Sequence, residues 1–270
     1  MKSIWTDEST APVGGGRVMF RRSLRGHRAD ITQACLPHAG GGASVFSGWG
    51  ERLGAEVEVA TAGLPGRDSL INEPLPASMQ VLAQAAAISL VDLRLGHPFA
   101  LYGHSMGALL AFEMARELRR QGEPLPAALF VAAQSAPHLC RTREPIHTLP
   151  DDRFIEEIGR FEATPSEVLA NAELLELLLP TLRHDFELCE TYLCSEEPPL
   201  ACPIVVFGGM ADRWVGRGEL DAWRQQTLGR FDCHGLPGGH FFQQDAGGAL
   251  FTLLRTELLT LSKEAGAPQG

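Results

Sequence analysis

The sequence predicts an α/β protein, a mostly parallel sheet with helices on both faces. Short apolar runs of strand length alternate with longer helical patterns along most of the chain, which is the signature of parallel strands joined by helical crossovers. With 270 residues, 44% of them hydrophobic, one large core in a single domain is within reach. A strand-like run also meets a helix-like run through a serine between glycines, Gly103-His104-Ser105-Met106-Gly107, a sharp turn suited to the carboxyl end of a parallel strand.

Strands are expected at residues 18–22, 31–36, 57–60, 99–102, 128–132, 204–207 and 230–233, each a short apolar run bounded by turn-forming residues. Helices are expected at 79–95, 106–120, 152–161, 167–179 and 247–261, where apolar residues recur at helical spacing. The second helix closes on Arg119, Arg120, Gln121 and Gly122, with cations at the negative dipole end and a glycine to stop it. Between about 145 and 200 helical patterns follow one another with no strand before Ile204, so this stretch reads as an inserted helical lid. The ends, 1–16 and 262–270, are polar or glycine-rich and are expected to be mobile.

Composition removes several classes of function. No stretch reaches the eighteen or so apolar residues of a membrane helix, and residues 1–16 lack a signal-peptide core, so a cytoplasmic protein is expected. A net charge of -10 sets the surface against nucleic acid. The six cysteines, Cys35, Cys140, Cys189, Cys194, Cys202 and Cys233, form no CxxC pair and have no histidines at zinc spacing beside them. Reduced structural thiols are expected, with no metal and no cofactor.

Ser105 stands at the apex of the glycine turn, after the apolar run Pro98-Phe99-Ala100-Leu101 and before the helical Ala108-Leu109-Leu110-Ala111-Phe112. A serine hydroxyl is a weak nucleophile near neutral pH and needs a base to take its proton. In the α/β-hydrolase fold, acid and then histidine follow the serine in chain order, each in a loop after a later strand. Asp212 follows the strand Pro203-Ile204-Val205-Val206-Phe207 and the turn Gly208-Gly209-Met210-Ala211, and is the candidate acid. Asp185, Asp232 and Asp245 compete, but the first lies in the lid, the second within a strand pattern and the third beyond the histidine. His240, carried on Pro237-Gly238-Gly239 before Phe241-Phe242, is the candidate base. His234 is second, placed before that loop.

Charge that develops on a carbonyl oxygen during acyl transfer is held by backbone N–H groups, each contributing about 3 kcal/mol. Met106, directly after the nucleophile, supplies one. Pro37-His38-Ala39-Gly40-Gly41-Gly42 follows an early strand and supplies the other from Ala39, with Gly40 next. No phosphate-binding glycine fingerprint is present, so this loop reads as an oxyanion hole.

Together, Pro37-His38-Ala39-Gly40-Gly41, Leu64-Pro65-Gly66-Arg67, the Ser105 block, the run from Leu179 to Phe186, Gly209-Met210-Ala211-Asp212 and Gly238-Gly239-His240-Phe241-Phe242 resemble the type II thioesterase family over about residues 31–258. The resemblance implies hydrolysis of stalled or wrongly primed acyl groups from the phosphopantetheine thiol of acyl or peptidyl carrier proteins of polyketide and nonribosomal peptide assembly lines. It implies that Ser105, Asp212 and His240 form the triad, that Ala39 and Met106 hold the oxyanion, and that the family's lid is the insertion at 145–200. Gly42 stands where the family places a serine or similar small residue. The Leu64–Arg67 block either shapes the site or is a structural turn, Arg183 and Asp185 form a lid ion pair or contact ligand, and Arg141 and Arg143 are conceivable carrier contacts. The triad would equally serve a carboxylesterase acting on small oxygen esters. A terminal domain cut from a megasynthase is disfavoured by Met1 and the lack of an upstream carrier serine motif, and a non-catalytic binding module by the completeness of the triad. A monomer is expected.

Overall fold

A computed structural model describes residues 16–23, 29–140, 143–161, 172–245 and 247–266. Among these residues seven strands form one sheet in the order β1-β3-β2-β4-β5-β6-β7. They are β1 (Met19–Arg22), β2 (Ile31–Leu36), β3 (Val57–Gly63), β4 (Phe99–His104), β5 (Leu129–Ala132), β6 (Ile204–Gly209) and β7 (Phe231–Leu236). Strand β1 pairs antiparallel with β3, Met19 opposite Gly63; β2 to β7 run parallel. All six residues of β2 and all four of β5 are buried, as required of central parallel strands covered on both faces.

The covering helices divide the core in two. On one face α2 (Met79–Val91) and α3 (Met106–Gln121) pack Leu82, Leu90, Leu109 and Phe112 with Leu101, Val131 and Val206 of the sheet. On the other, α1 (Trp49–Leu53) and α8 (Gly247–Gly266) bury Trp49, Phe251, Leu254 and Leu258 against Tyr102, Phe130 and Phe207. Each such large side chain contributes about 1.5–3 kcal/mol on burial. The segment between β5 and β6 holds α4 (Asp151–Gly159) and α5 (Ala172–Glu190), and no strand occurs among its described residues. After β6 come α6 (Arg217–Asp221) and, beyond β7, α7 (Phe242–Asp245).

The structure extends or shortens several expected elements. Strands β3, β4, β6 and β7 run two to three residues further at their carboxyl ends than their apolar cores suggest, because ladder pairing continues through glycines such as Gly103 and Gly209. Helix α2 stops at Val91 rather than 95: Leu93 and Arg94 donate to carbonyls three residues back, and Arg94 has φ 46, the tightened end of a helix. Helix α8 runs on to Gly266; residues 1–15 and 267–270 lie outside the described residues.

Helix α5 departs most. It was expected to end at 179, before Pro180, yet Pro180 is inside it. A proline in a helix interior costs about 3 kcal/mol or more, and here tertiary contacts beyond it offset that cost. Thr181 Oγ1 donates to Gly66 O at 3.0 Å, Asp185 pairs with Arg67, and Glu190 accepts the amides of Ile146 and His147 at 3.0 Å. Before Pro180 the same helix exposes Leu177 at 60%.

Candidate active site

Strand β4 delivers Ser105 directly into α3. Ser105 has φ 53 and ψ -118, and its amide donates to Ala132 O of β5 at 2.8 Å, so the ladder itself holds the strained apex. Both flanking glycines are enforced by contact. A Cβ on Gly103 would lie 1.9 Å from Gly107 O, and one on Gly107 would lie 2.1 Å from Leu36 O at the end of β2.

The loops that carry Asp212 and His240 are knitted together before either side chain is considered. Met210 N donates to Leu236 O at 2.8 Å and Ala211 N to Gly238 O at 2.9 Å, and a Cβ on Gly209 would meet Gly239 O at 2.0 Å. From this pair of turns His240 Nδ1 lies 2.9 Å from Asp212 Oδ2, while its Nε2 lies 3.1 Å from Ser105 Oγ. Asp212 Oδ1 accepts the amides of Trp214 at 2.7 Å and Val215 at 3.3 Å. An ionised carboxylate only accepts hydrogen bonds. Nδ1 therefore carries the proton, and Nε2 presents its lone pair to the serine hydroxyl. Side chains of His240 and Asp212 are 5% and 1% exposed, a setting in which such bonds are strong.

The competing residues lie elsewhere. Asp232 pairs with Arg230 on β7, His234 stacks on Phe207, and the side chain of Asp245 is outside the described set.

His104, between Gly103 and Ser105, donates from Nε2 to the carbonyl of His240 at 2.8 Å, fixing the loop that carries His240. Burial pushes the His104 imidazole well below its ordinary range, with the charges of His240 and His38 adding to the effect. His38 is pushed from 6.5 to about 4, by burial first and then by the charge of His240; Asp185 opposes this and Arg67 adds to it. Its Nδ1 is shut off from water without a partner. Between pH 6.5 and about 4 the unfolded chain binds a proton at His38 that the folded chain refuses. Stability then falls as pH drops through that window, by on the order of 2–3 kcal/mol at its acid end. Urea unfolding from pH 7 to 4 is expected to show this decline, flattened by about one proton in His38→Gln; an unchanged slope in the variant would contradict the assignment.

The loop after β2 is a tight turn closed by Gly41 N donating to His38 O at 2.9 Å, with Gly40 at φ +74 in its third position, where a type II turn requires a glycine. Ala39 occupies the second position, whose N–H the turn does not use. The loop rests on the first turn of α3: a Cβ on Gly107 would also lie 2.7 Å from Pro37 O. Ala39 and Met106 are thereby brought onto neighbouring segments beside Ser105. The alternative donor, Gly40, is spoken for, since its N–H is given to Asp185 Oδ2 at 2.7 Å. At Gly42 a side chain would meet Asp68 Oδ2 at 2.3 Å, which accounts for the glycine where a serine was expected.

Two further features were not read from the sequence. Asp185 and Arg183 do not pair with each other. Asp185 forms a two-pronged pair with Arg67, both arms 2.7 Å, and Arg183 binds Asp151 and the carbonyls of His147 and Leu149. Phe161, following α4, stacks on Trp214 at 3.9 Å and lies 5.7 Å from the His240 ring, while Arg143 sits 4.6 Å over Trp214. Arg141 lies outside the described residues. All six cysteines are free, and burial pushes the Cys35 thiol well up. Among the described residues no cluster of His, Cys, Asp and Glu could hold a metal ion, and no helix is long and apolar enough to cross a membrane.

Residues 33–258 match the model of the thioesterase domain family. The chain is 41% identical to the gramicidin S biosynthesis protein GrsT of Aneurinibacillus migulanus, over 79% of this chain and 83% of that one. Its structure superposes with a TM-score of 0.80 on the RedJ thioesterase from the prodiginine biosynthetic pathway in Streptomyces coelicolor, at 42% identity over 85% and 86% of the two chains. It does so equally, at 0.80 and 33% identity over 89% and 97%, on the type II thioesterase BorB from the borrelidin biosynthetic cluster. An α/β-hydrolase sheet, a serine at its elbow and these likenesses agree: the chain belongs to the thioesterase family and is a hydrolase of thioesters.

Proposed function

We propose that this thioesterase clears stalled or wrongly primed acyl groups from the phosphopantetheine thiol of carrier proteins in polyketide or nonribosomal peptide assembly. The observation that carries the reading is the hydrogen-bonded line from Asp212 through His240 to Ser105, within a chain of this family. GrsT, RedJ and BorB, whose names tie them to gramicidin S, prodiginine and borrelidin biosynthesis, support the choice of substrate class.

In this mechanism His240 Nε2 takes the hydroxyl proton as Ser105 Oγ attacks the thioester carbonyl, and Asp212 stabilises the imidazolium that forms. The oxyanion is held by the amides of Ala39 and Met106, the second assisted by its place at the positive end of α3. Collapse of the tetrahedral intermediate breaks the C–S bond, and the thiolate leaves with the proton from His240. Water, deprotonated by His240, then hydrolyses the acyl-serine ester and frees the acid. The phosphopantetheine belongs to the substrate, and every step uses side chains and backbone amides of this chain.

We read residues 1–270 as one cytoplasmic, monomeric catalytic domain, with 145–200 as its lid. Phe161, within that stretch, lies against the His240 ring and stacks on Trp214 of the loop that carries Asp212. The test is steady-state kinetics on a propionyl-loaded carrier protein, propionyl-coenzyme A and a short-chain oxygen ester. The carrier is expected to show the highest kcat/KM, by about tenfold or more, because docking adds binding energy that a free thiol ester lacks. Turnover of the oxygen ester that exceeds both thioesters would overturn the reading in favour of a carboxylesterase.

A further inference from the structure

We infer that Asp185 and Arg67 are positioning residues for the oxyanion hole, holding the turn that presents the Ala39 amide. The inference rests on the reading in which Ala39 receives the developing charge.

Arg67 follows β3 and Asp185 lies on α5, 118 positions away, yet their side chains are 8% and 1% exposed and joined by two bonds of 2.7 Å. Neither group spends its whole bonding capacity on the other. Asp185 Oδ2 also accepts the N–H of Gly40 at 2.7 Å, and Arg67 Nη1 also donates to the carbonyl of Gly41 at 3.1 Å. Arg67 Nε donates to Pro65 O at 3.1 Å, tying the guanidinium to its own loop. Two consecutive residues of the oxyanion turn are thus gripped, one by its donor and the next by its acceptor. Leu182, one turn earlier on α5, closes over Gly40, where a Cβ would come within 2.7 Å of its Cδ1.

The Asp185 half of the grip acts on one peptide plane. A turn of this kind has a neighbouring form in which the central peptide, here between Ala39 and Gly40, is rotated by half a turn. That rotation would replace the Gly40 N–H facing Asp185 by the Ala39 carbonyl, setting a carbonyl oxygen against a buried carboxylate. Asp185 therefore favours one form and penalises the other, and the form it favours fixes the backbone immediately after the Ala39 N–H. Stabilisation alone does not explain the arrangement, because a buried ion pair gains little net of its desolvation and an apolar pair of similar volume often serves as well. The apolar pair cannot accept a backbone N–H.

That difference is the test. Arg67→Met/Asp185→Leu removes both charges and leaves Gly40 without an acceptor, whereas Arg67→Met/Asp185→Asn removes both charges and keeps an acceptor oxygen. Both are compared with the wild type in thermal unfolding, in kcat and KM on an acyl thioester, and in affinity for a trifluoromethyl ketone that forms an oxyanion adduct with the serine. The Leu variant is expected to lose about tenfold to a hundredfold in kcat, with KM nearly unchanged. Its affinity for the ketone is expected to fall by a similar factor, short of the loss of a whole donor at about 10²–10³. The Asn variant is expected to recover most of both. Leu and Asn variants with equal kcat and equal ketone affinity would overturn the inference, as would a loss confined to KM. Should the Leu variant fail to fold, Asp185→Asn against Asp185→Ala supplies the same contrast of acceptor kept and acceptor removed. Ser105→Ala separates the two levels of the argument: if it turns over normally the site reading has failed, and if it is inactive while the Leu variant is fully active only this inference has.

Discussion

Ser105→Ala is expected to lower kcat for thioester hydrolysis by on the order of 10⁶-fold, with KM nearly unchanged. Ser105 Oγ is the atom 3.1 Å from His240 Nε2, and without it the base has no hydroxyl to activate. What remains is the oxyanion hole and substrate binding, which leave a residual acceleration over water of about 10³–10⁴-fold. The loss is expected to be purely chemical. Ser105 makes no capping hydrogen bond from its side chain, and its φ of 53 is imposed by the elbow, so alanine inherits the same strain and the unfolding midpoint should barely move. A loss smaller than about tenfold, in a protein that unfolds like the wild type, would exclude Ser105 as the nucleophile.

The second large effect belongs to Asp212→Asn, expected to cost about 10⁴-fold in kcat. Asp212 Oδ1 takes the amides of Trp214 and Val215, so an asparagine keeps its oxygen there and turns its NH₂ toward His240 Nδ1. Two donors cannot face each other across 2.9 Å. The imidazole must then move its proton to Nε2, where it points at Ser105 and can no longer accept the hydroxyl proton. Histidine tautomer, read by ¹⁵N NMR of the ring, is expected to switch in parallel with the loss of kcat. Retention of more than about a tenth of the activity, or loss without the switch, would contradict the role given to Asp212.

The parts of this molecule that could be read from sequence are those where local chemistry and chain order coincide. Gly103 and Gly107 had to be glycines because backbone lies under 2.2 Å from any Cβ they might carry, and that necessity is written as G-x-S-x-G. Asp212 and His240 each follow a strand pattern at a glycine turn, so their meeting is encoded in the order of elements. The sheet was legible for a related reason, since buried central strands such as β2 and β5 leave unbroken apolar runs.

What escaped the sequence depends on contacts between distant segments. Arg67 and Asp185 look like an ordinary turn cation and a helix anion, and nothing local says that they meet, or that Asp185 takes the N–H of Gly40. Arg183 and Asp185 were open between a lid ion pair and ligand contacts, and the helix that carries both points them at different neighbours. Pro180 signalled a helix end by its missing N–H, and only the anchorage of Thr181, Asp185 and Glu190 shows why the helix continues. His104 drew no reading of its own from the sequence, although a histidine inside the Ser105 turn could have been asked what its ring bonds; it holds the carbonyl of His240.

The most direct test of the central claim is intact-mass spectrometry of an acetyl- or propionyl-loaded carrier protein incubated with the wild type and, in parallel, with Ser105→Ala. The account predicts that the carrier loses the acyl mass and regains a free phosphopantetheine thiol only with the wild type. Equal loss with Ser105→Ala would remove the serine from the chemistry, and no loss with either protein across a panel of carriers would remove the carrier from the function.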